Sequence, residues 1–134
     1  MLSFGSDMLS KKDRSFLNVA RYLATKSEAR NTHGALVVRG GRVVGLGWNK
    51  DKNHPSVIED EAKIKEYCSA HAEQIALREA GDNTQKAVLY VARVSKQGED
   101  RDSKPCSVCQ SRIIQAGIKR VVYTMEAGEI NYVS

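Results

Sequence analysis

The 134-residue sequence lacks any apolar run near the roughly 20 residues that a membrane-spanning helix needs. Its first residues, MLSFGSDMLSKKDRSF, lack the basic start and the apolar stretch of a secretory signal. It also lacks internal repeats, linkers and low-complexity tracts. Hydrophobic residues make up 41% and charged residues 28% of the chain, a balance typical of a soluble globular protein. We therefore expect a single domain over residues 1–134, in the cytoplasm and without a membrane partner.

Cysteine and aromatic residues are both scarce. The three cysteines, Cys68, Cys106 and Cys109, are an odd number, and in a reducing compartment they favour metal or thiol chemistry over a disulfide framework. Aromatic residues are only 6% of the chain, which is few for stacking bases along an extended strand and favours a small ligand over a nucleic acid. The net charge of +5 suits an anionic ligand of either kind.

Hydrophobic periodicity predicts helices and strands in alternation. A helix is expected after Ser10, which can cap it, with an apolar face that runs from Phe16 to Ala24. Two valine-rich runs over 35–38 and 43–48, separated by Arg-Gly-Gly, predict a β-hairpin. A surface loop is predicted over 50–66, and a helix over 72–80 that ends at Gly81 and buries Ile75, Ala76 and Glu79. A strand over 87–94 and a charged loop over 95–104 follow. The chain then continues with a helix over 107–116 that ends at Gly117, a strand over 120–124, and a tail over 127–134 that forms a short edge strand or frays.

This order of elements predicts an α/β fold. Strands that are joined through helices pack parallel with right-handed crossovers, whereas the two strands of a hairpin are antiparallel. We therefore expect one mixed sheet with helices on its faces.

Two short motifs begin the second and third predicted helices. His71-Ala72-Glu73 opens the second, and Pro105-Cys106-Ser107-Val108-Cys109 opens the third. If both helices pack on the same sheet face, their N-termini converge and bring one imidazole and two thiolates together, three ligands of the right type for zinc. The partial positive charge of a helix N-terminus favours the thiolate form that metal binding requires.

Glu73 supplies a carboxylate beside this ligand set. It follows His71 by two residues and points in a different direction on a helix, so it can reach a metal-bound water instead of completing the coordination. Taken alone, the cysteine pair is also compatible with a structural zinc module or a redox protein. A redox role would leave His71 and Glu73 without a function, so the joint pattern favours a catalytic zinc site.

The pattern H-x-E…P-C-x-x-C is typical of zinc nucleobase deaminases. The segments GALVVRGGRVVGLGWN, HAEQIALREAG, PCSVC and AGIKRVVY occur in order over residues 34–123, and the chain resembles the cytidine and deoxycytidylate deaminase superfamily. The resemblance implies a three-layer α/β/α sandwich with a central mixed sheet, and at least a dimer. It also implies that Zn²⁺ is bound by His71, Cys106 and Cys109, that Glu73 shuttles protons, that Asn49 contacts the substrate sugar, and that backbone N–H groups near Ala72 and Cys106 bind the base.

The sequence departs from these relatives just before the cysteine pair. Relatives commonly pass from the strand almost directly into the proline, often with a glutamate before it, whereas here a loop over 95–104 intervenes and Lys104 precedes Pro105. We expect this loop to overhang the pocket and Lys104 to contact substrate. His33, before the first hairpin strand, borders the pocket as a base or phosphate contact, or is an exposed turn residue. Cys68 is expected to be a small buried side chain, with a second metal site as the alternative.

The substrate prediction rests on which branch the motifs resemble. A histidine as first ligand resembles the deoxycytidylate, tRNA-adenosine and guanine deaminases, and IIQAGIKRVVY resembles the deoxycytidylate branch in particular. We predict conversion of dCMP to dUMP with release of ammonia. The alternatives are a deaminase acting on cytosine or adenine in single-stranded DNA or RNA, tRNA included, and a non-catalytic zinc-binding module. In the nucleic-acid alternative, the backbone would follow Arg101, Lys104, Lys119 and Arg120.

Overall fold

The computed structural model of the chain describes residues 2–4, 9–27, 32–49, 72–105, 107–126 and 130–133. Its strands are β1 (Leu2–Phe4), β2 (Thr32–Arg39), β3 (Arg42–Trp48), β4 (Val88–Val94), β5 (Asp100–Arg101), β6 (Arg120–Thr124) and β7 (Ile130–Val133). Its helices are α1 (Lys11–Thr25), α2 (residues 72–80) and α3 (Ser107–Gln115), and a 3₁₀ turn at Gly81–Thr84 follows α2. The predicted loop over 50–66 and three predicted residues, Cys68, His71 and Cys106, lie outside the described residues.

The strands form one mixed sheet in the order β1-β7-β6-β4-β2-β3, with β5 pairing to β4. Strands β4 and β6, which flank α3 in sequence, are parallel, and the β2–β3 hairpin is antiparallel, as predicted. The tail does form a strand, but the predicted edge position is wrong, because β1 pairs antiparallel outside β7. Strand β1 has three residues, too few to produce a recognisable alternation in the sequence.

Helices cover both faces of the sheet, which confirms the three-layer α/β/α sandwich. On one face, α1 packs Leu17, Ala20 and Leu23 against β-strand residues that include Leu36 and Val122. On the other face, α2 and α3 pack together over one core cluster, with Ala76, Ala80 and Ile113 above Val37 and Leu89. None of the helices formed by the described residues is long and apolar enough to cross a membrane.

Helix α1 begins at the predicted cap. The Ser10 hydroxyl accepts the Asp13 N–H at 3.0 Å, and the Asp13 carboxylate accepts the Ser10 N–H at 3.2 Å, which is a capping box. The same carboxylate accepts hydrogen bonds from the Tyr90 hydroxyl at 2.6 Å and from both terminal nitrogens of Arg120 at 2.6 and 3.0 Å. Arg120 is thus engaged with a buried carboxylate, which argues against its predicted place along a nucleic-acid backbone.

Glycines let the helices approach the sheet closely. A Cβ atom on Gly34 would overlap the Ala20 carbonyl of α1, and one on Gly45 would overlap the Ala76 carbonyl of α2. A Cβ on Gly47 would come within 2.8 Å of the Ala72 carbonyl, where α2 starts. Helix α2 therefore starts over the C-terminal end of β3 and runs back along the strand.

The buried side of α2 matches the prediction at Ala76 and differs from it at Ile75 and Glu79. Ala72, Ala76 and Ala80 recur every four residues and are buried, together with Glu73. Ile75 is half-buried and Glu79 is exposed, because position 79 is turned away from the Ala72–Ala76–Ala80 line. Gly81 adopts the left-handed conformation, φ +57°, that ends the helix as predicted.

Candidate active site

The sheet topology places the starts of α2 and α3 at the same edge. Strands β3 and β4 are both antiparallel to β2, so they run in the same direction and their C-terminal ends share one edge of the sheet. Helix α2 starts over the end of β3, and the segment leading into α3 is bonded by Ser103 to the Val91 carbonyl of β4 and the Thr124 carbonyl of β6. Because both helices lie on the same face, both begin at this end of the sheet.

Glu73 lies at this end of α2 with 2% of its surface exposed. Its neighbour Ala72 is fully buried, and the rest of the buried side of the helix consists of alanines. Glutamate is rarely buried to this extent, because a carboxylate loses its hydration when it leaves water. The burial of the Glu73 carboxylate therefore indicates that it has a polar or charged group to bind at this site.

Cys109 lies in the first turn of α3 and is 3% exposed. Its thiol is therefore protected from water near the start of α3. The described residues contain no group of three His, Cys, Asp or Glu side chains placed to hold a metal ion. The donor chemistry that is described, a buried thiol at one helix start and a buried carboxylate at the other, fits a zinc centre with a nearby proton acceptor.

Asn49 and His33 are joined at the open end of the β2–β3 hairpin. The Asn49 side-chain oxygen accepts the His33 N–H at 2.8 Å, and the Asn49 N–H donates to the His33 carbonyl at 3.2 Å. Asn49 is 1% exposed and His33 5% exposed, so His33 is not the exposed turn residue that was one of its predicted alternatives. Both residues lie at the sheet edge above which α2 and α3 begin, and their predicted contacts with substrate stay predictions.

Lys104 follows the buried Ser103 in the segment that enters α3. Its side chain is exposed and lines a cavity of about 240 Å³ between α3 and β6, together with the apolar side chains of Ile113, Ile114 and Val121. Tyr123 also lines this cavity, and burial and the nearby Asp102 carboxylate raise the pKa of its hydroxyl. The predicted contact of Lys104 with substrate stays a prediction.

The loop over 95–104 is more ordered than its sequence indicated. Residues Asp100 and Arg101 form β5, which pairs with the end of β4. Arg21 of α1 donates to both carboxylate oxygens of Asp100 at 2.8 Å, so this ion pair ties β5 to α1. Residues 100 and 101 thus extend the sheet, and the predicted position of the loop over the pocket stays a prediction. A two-residue strand carries no periodicity by which it could have been found.

The fold is thus an α/β/α sandwich in which the helix with Glu73 and the helix with Cys109 begin at the same end of the sheet. Residues 10–125 match the family model described as the cytidine and deoxycytidylate deaminase zinc-binding region. The chain therefore belongs to this family, whose members are hydrolases acting on C–N bonds.

Relatives within the family differ in the substrate that their names state. The chain is 31% identical over 125 residues to the riboflavin biosynthesis protein RibD of Aquifex aeolicus, covering 86% of this chain and 28% of RibD. It is 32% identical over 123 residues to the tRNA-specific adenosine deaminase of Buchnera aphidicola, covering 87% of this chain and 68% of that enzyme. The dCMP deaminase of cyanophage S-TIM5, solved with dCMP and dUMP, superposes with a TM-score of 0.59 at 26% identity, covering 89% of this chain and 85% of that one. The chain spans less than a third of the length of RibD.

Proposed function

We propose that the chain is a zinc-dependent hydrolytic deaminase that converts a cytosine nucleotide, dCMP, to the uracil nucleotide with release of ammonia. The observation that carries this proposal is the burial of Glu73 at the start of α2, above the same sheet edge as the buried thiol of Cys109 at the start of α3. A structural zinc module needs no buried carboxylate beside its ligands.

His71, Cys106 and Cys109 would hold the zinc ion. Zinc, when bound, supplies the Lewis acidity that makes a water molecule nucleophilic at neutral pH. Glu73 accepts one proton of the attacking water and delivers it to the ring nitrogen beside the reacting carbon. Glu73 then transfers the hydroxyl proton to the amino group, which leaves as ammonia while a carbonyl forms. The buried position of Glu73 keeps bulk water from competing for these protons.

Asn49 and Ala72 bind and orient the substrate in this proposal. The Asn49 side-chain oxygen accepts the His33 N–H and the Asn49 backbone N–H donates to the His33 carbonyl, so the amide is held in place and can bind the sugar at little entropic cost. The backbone N–H groups at the start of α2, near Ala72, have no carbonyl acceptor within the helix, as at every helix N-terminus. In this proposal they donate hydrogen bonds to the oxygen of the base. We further propose that the enzyme acts in the cytoplasm as a homo-oligomer, at least a dimer.

The alternative substrate is a base within single-stranded DNA or RNA. The relative from Buchnera, a tRNA-specific adenosine deaminase of which the chain covers 68%, favours it. Two observations on basic residues count against it. Arg120 is held by the buried Asp13 carboxylate, and Arg101 lies 3.6 Å from Glu99, so two of the four residues predicted along a nucleic-acid backbone already face carboxylates.

The test is ammonia release by the zinc-loaded protein from dCMP, CMP, deoxycytidine, guanine and short single-stranded DNA and RNA. We expect turnover of dCMP that disappears in Glu73→Gln. Turnover of the oligonucleotides alone, weakening steeply as salt rises, would replace the mononucleotide with the nucleic-acid substrate. A protein that binds zinc but releases no ammonia from any of them would contradict the proposal.

A further inference from the structure

The cavity between α3 and β6 is lined by a different set of residues from the proposed deaminase site. Its walls come from residues 104–105, α3 and β6, so Glu73, Asn49 and His33 are not among them. Lys104 alone also has a predicted contact with substrate, and the experiment below separates its two roles. The volume of about 240 Å³ exceeds the roughly 150 Å³ of an apolar cavity that holds benzene, and lies below the roughly 300 Å³ at which pockets for drug-sized ligands begin. The cavity therefore has the size for a small organic molecule.

Most of the cavity wall is apolar. Ile113 and Val121 line it and belong to the core beneath the helix. Ile114 also lines it, although 74% of its surface is exposed. An apolar ligand body that covers these side chains removes their surface from water, which favours binding.

Tyr123 adds a hydroxyl group that forms no hydrogen bond within the part of the chain that the structure describes. Only 2% of its surface is exposed, yet the hydroxyl oxygen is not completely enclosed by protein. A buried tyrosine hydroxyl normally has a partner, as Tyr90 has in the Asp13 carboxylate at 2.6 Å. Burial and the Asp102 carboxylate raise the pKa of Tyr123, so its hydroxyl stays protonated. It is therefore a donor that a ligand in the cavity can use.

Lys104 adds a positive charge to the same cavity. Its side chain is exposed, and none of the described carboxylates forms an ion pair with its ammonium group. Asp102, two residues earlier, instead accepts the Lys104 backbone N–H at 2.9 Å. A tyrosine hydroxyl and an ammonium group are both donors, and a carboxylate offers only acceptors. The polar groups of the cavity thus match a carboxylate, and its apolar wall matches an apolar body attached to that carboxylate.

We propose that this cavity binds a small organic acid, whose apolar body packs on Ile113, Ile114 and Val121 and whose carboxylate accepts hydrogen bonds from Tyr123 and Lys104. This inference goes beyond the proposed deaminase function and does not rest on it.

The site borders the segment that carries the cysteine pair. Pro105 lines the cavity and directly precedes the predicted zinc ligand Cys106. Gln110 lines it as well, directly follows Cys109, and donates to the Pro105 carbonyl at 2.8 Å. A bound acid would therefore contact both ends of the cysteine motif.

The experiment is an NMR titration of the zinc-loaded full chain with benzoate, in the Glu73→Gln background and with or without dCMP. Benzamide has the same ring without the charge, and phenyl phosphate replaces the carboxylate by a phosphate. Benzoate should bind equally well in the presence of dCMP. Benzamide should bind roughly tenfold more weakly, the scale of a lost charge-assisted hydrogen bond.

Two pairs of variants test the assigned donors. Tyr123→Phe should raise the Kd for benzoate roughly tenfold and leave the free energy of unfolding of the ligand-free protein unchanged, because the hydroxyl has no protein partner to lose. Tyr90→Phe should do the reverse, since that hydroxyl is bonded to Asp13. Lys104→Gln should raise the Kd about two- to fivefold, the scale of an exposed ion pair. Lys96→Gln, an exposed lysine of the same loop, should leave the Kd unchanged.

The outcomes separate this inference from the proposed function. Benzoate binding that is weakened in Tyr123→Phe supports the site whether or not dCMP is deaminated. Displacement of benzoate by dCMP would overturn the inference, because the cavity would then belong to the substrate pocket. No binding of benzoate, equal affinity for benzamide, tighter binding of phenyl phosphate, or an unchanged Kd in Tyr123→Phe would also overturn it. Self-association that is lost in Ile114→Ser, without benzoate binding, would assign the cavity to a second copy of the chain instead.

Discussion

The hydroxyl groups of Ser103 and Thr124 lie 3.0 Å apart at the point where three chain segments meet. Ser103 Oγ accepts the Thr124 N–H at 2.9 Å and lies 3.0 Å from the Val91 carbonyl, to which it can donate. The Ser103 N–H donates to the Thr124 carbonyl at 2.9 Å. Both side chains are almost completely buried. The bonds tie the segment that enters α3 to the ends of β4 and β6, and so they set where Cys109 lies.

We expect Ser103→Ala to lower the free energy of unfolding by about 1–3 kcal/mol, because it leaves buried polar groups without their hydroxyl partner. It should also weaken zinc binding, since the segment that carries the cysteine pair follows Ser103 directly. Chelator competition and chemical unfolding measure the two effects. Ser95→Ala, which removes a hydroxyl from the exposed turn of the same loop, should change both much less. Equal effects of the two variants would show that Ser103 does not position α3.

Glu73→Gln should lower kcat by a factor of roughly 10² to 10⁴, the usual contribution of a general acid–base group. The amide has almost the same shape, so the fold and the zinc content should be retained. Glu79→Gln on the same helix changes an exposed carboxylate and should leave kcat as it is. Comparable kcat values for Glu73→Gln and the parent protein would remove Glu73 from the proton transfers.

The elements with strong local signals were predictable from the sequence. The β2–β3 hairpin has two valine-rich runs around Gly40 and Gly41, both of which take positive φ angles in the turn. Ser10 and the apolar spacing that follows it marked α1, and the two motifs marked the starts of α2 and α3. In each case the information lies within a few neighbouring residues.

Features that depend on distant contacts were not predictable. Asp13 and Arg120 are 107 positions apart, and nothing in either neighbourhood indicates that they pair. The register that opposes Arg93 and Arg101 depends on the pairing of a two-residue strand, which leaves no pattern in the sequence.

Cys109→Ala should reduce the zinc content of the purified protein to near zero, because a catalytic zinc site has only three protein ligands. Elemental analysis against protein concentration measures the loss. Cys68→Ser is the comparison, since it removes a thiol that we place outside the catalytic ligand set. One zinc per chain before and after this change would agree with a single site. A fall from two to one would establish the second metal site, and unchanged zinc in Cys109→Ala would take Cys109 out of the ligand set.

Asp13 should make stability depend on pH in the acid range. Burial alone would raise the pKa of its carboxyl group, but the hydrogen bonds from Arg120, Tyr90 and the Ser10 N–H outweigh burial and lower it from 3.8 to about 2. The pKa is lower in the folded than in the unfolded state. The ionised carboxylate therefore stabilises the fold at every pH above the unfolded-state pKa, and this contribution is lost as the pH falls from about 4 towards 2.

Asp13→Asn should therefore unfold more easily at neutral pH, by about 1.5–3 kcal/mol for the lost bonds to a charged partner. Its free energy of unfolding should also change less between pH 5 and pH 2 than that of the parent protein, within the window that the lowered pKa defines. Denaturant unfolding at several pH values measures both effects, with Asp82→Asn, an exposed carboxylate, as the control. A parallel pH dependence of Asp13→Asn and the parent would show that the Asp13 carboxylate is not the group lost in acid.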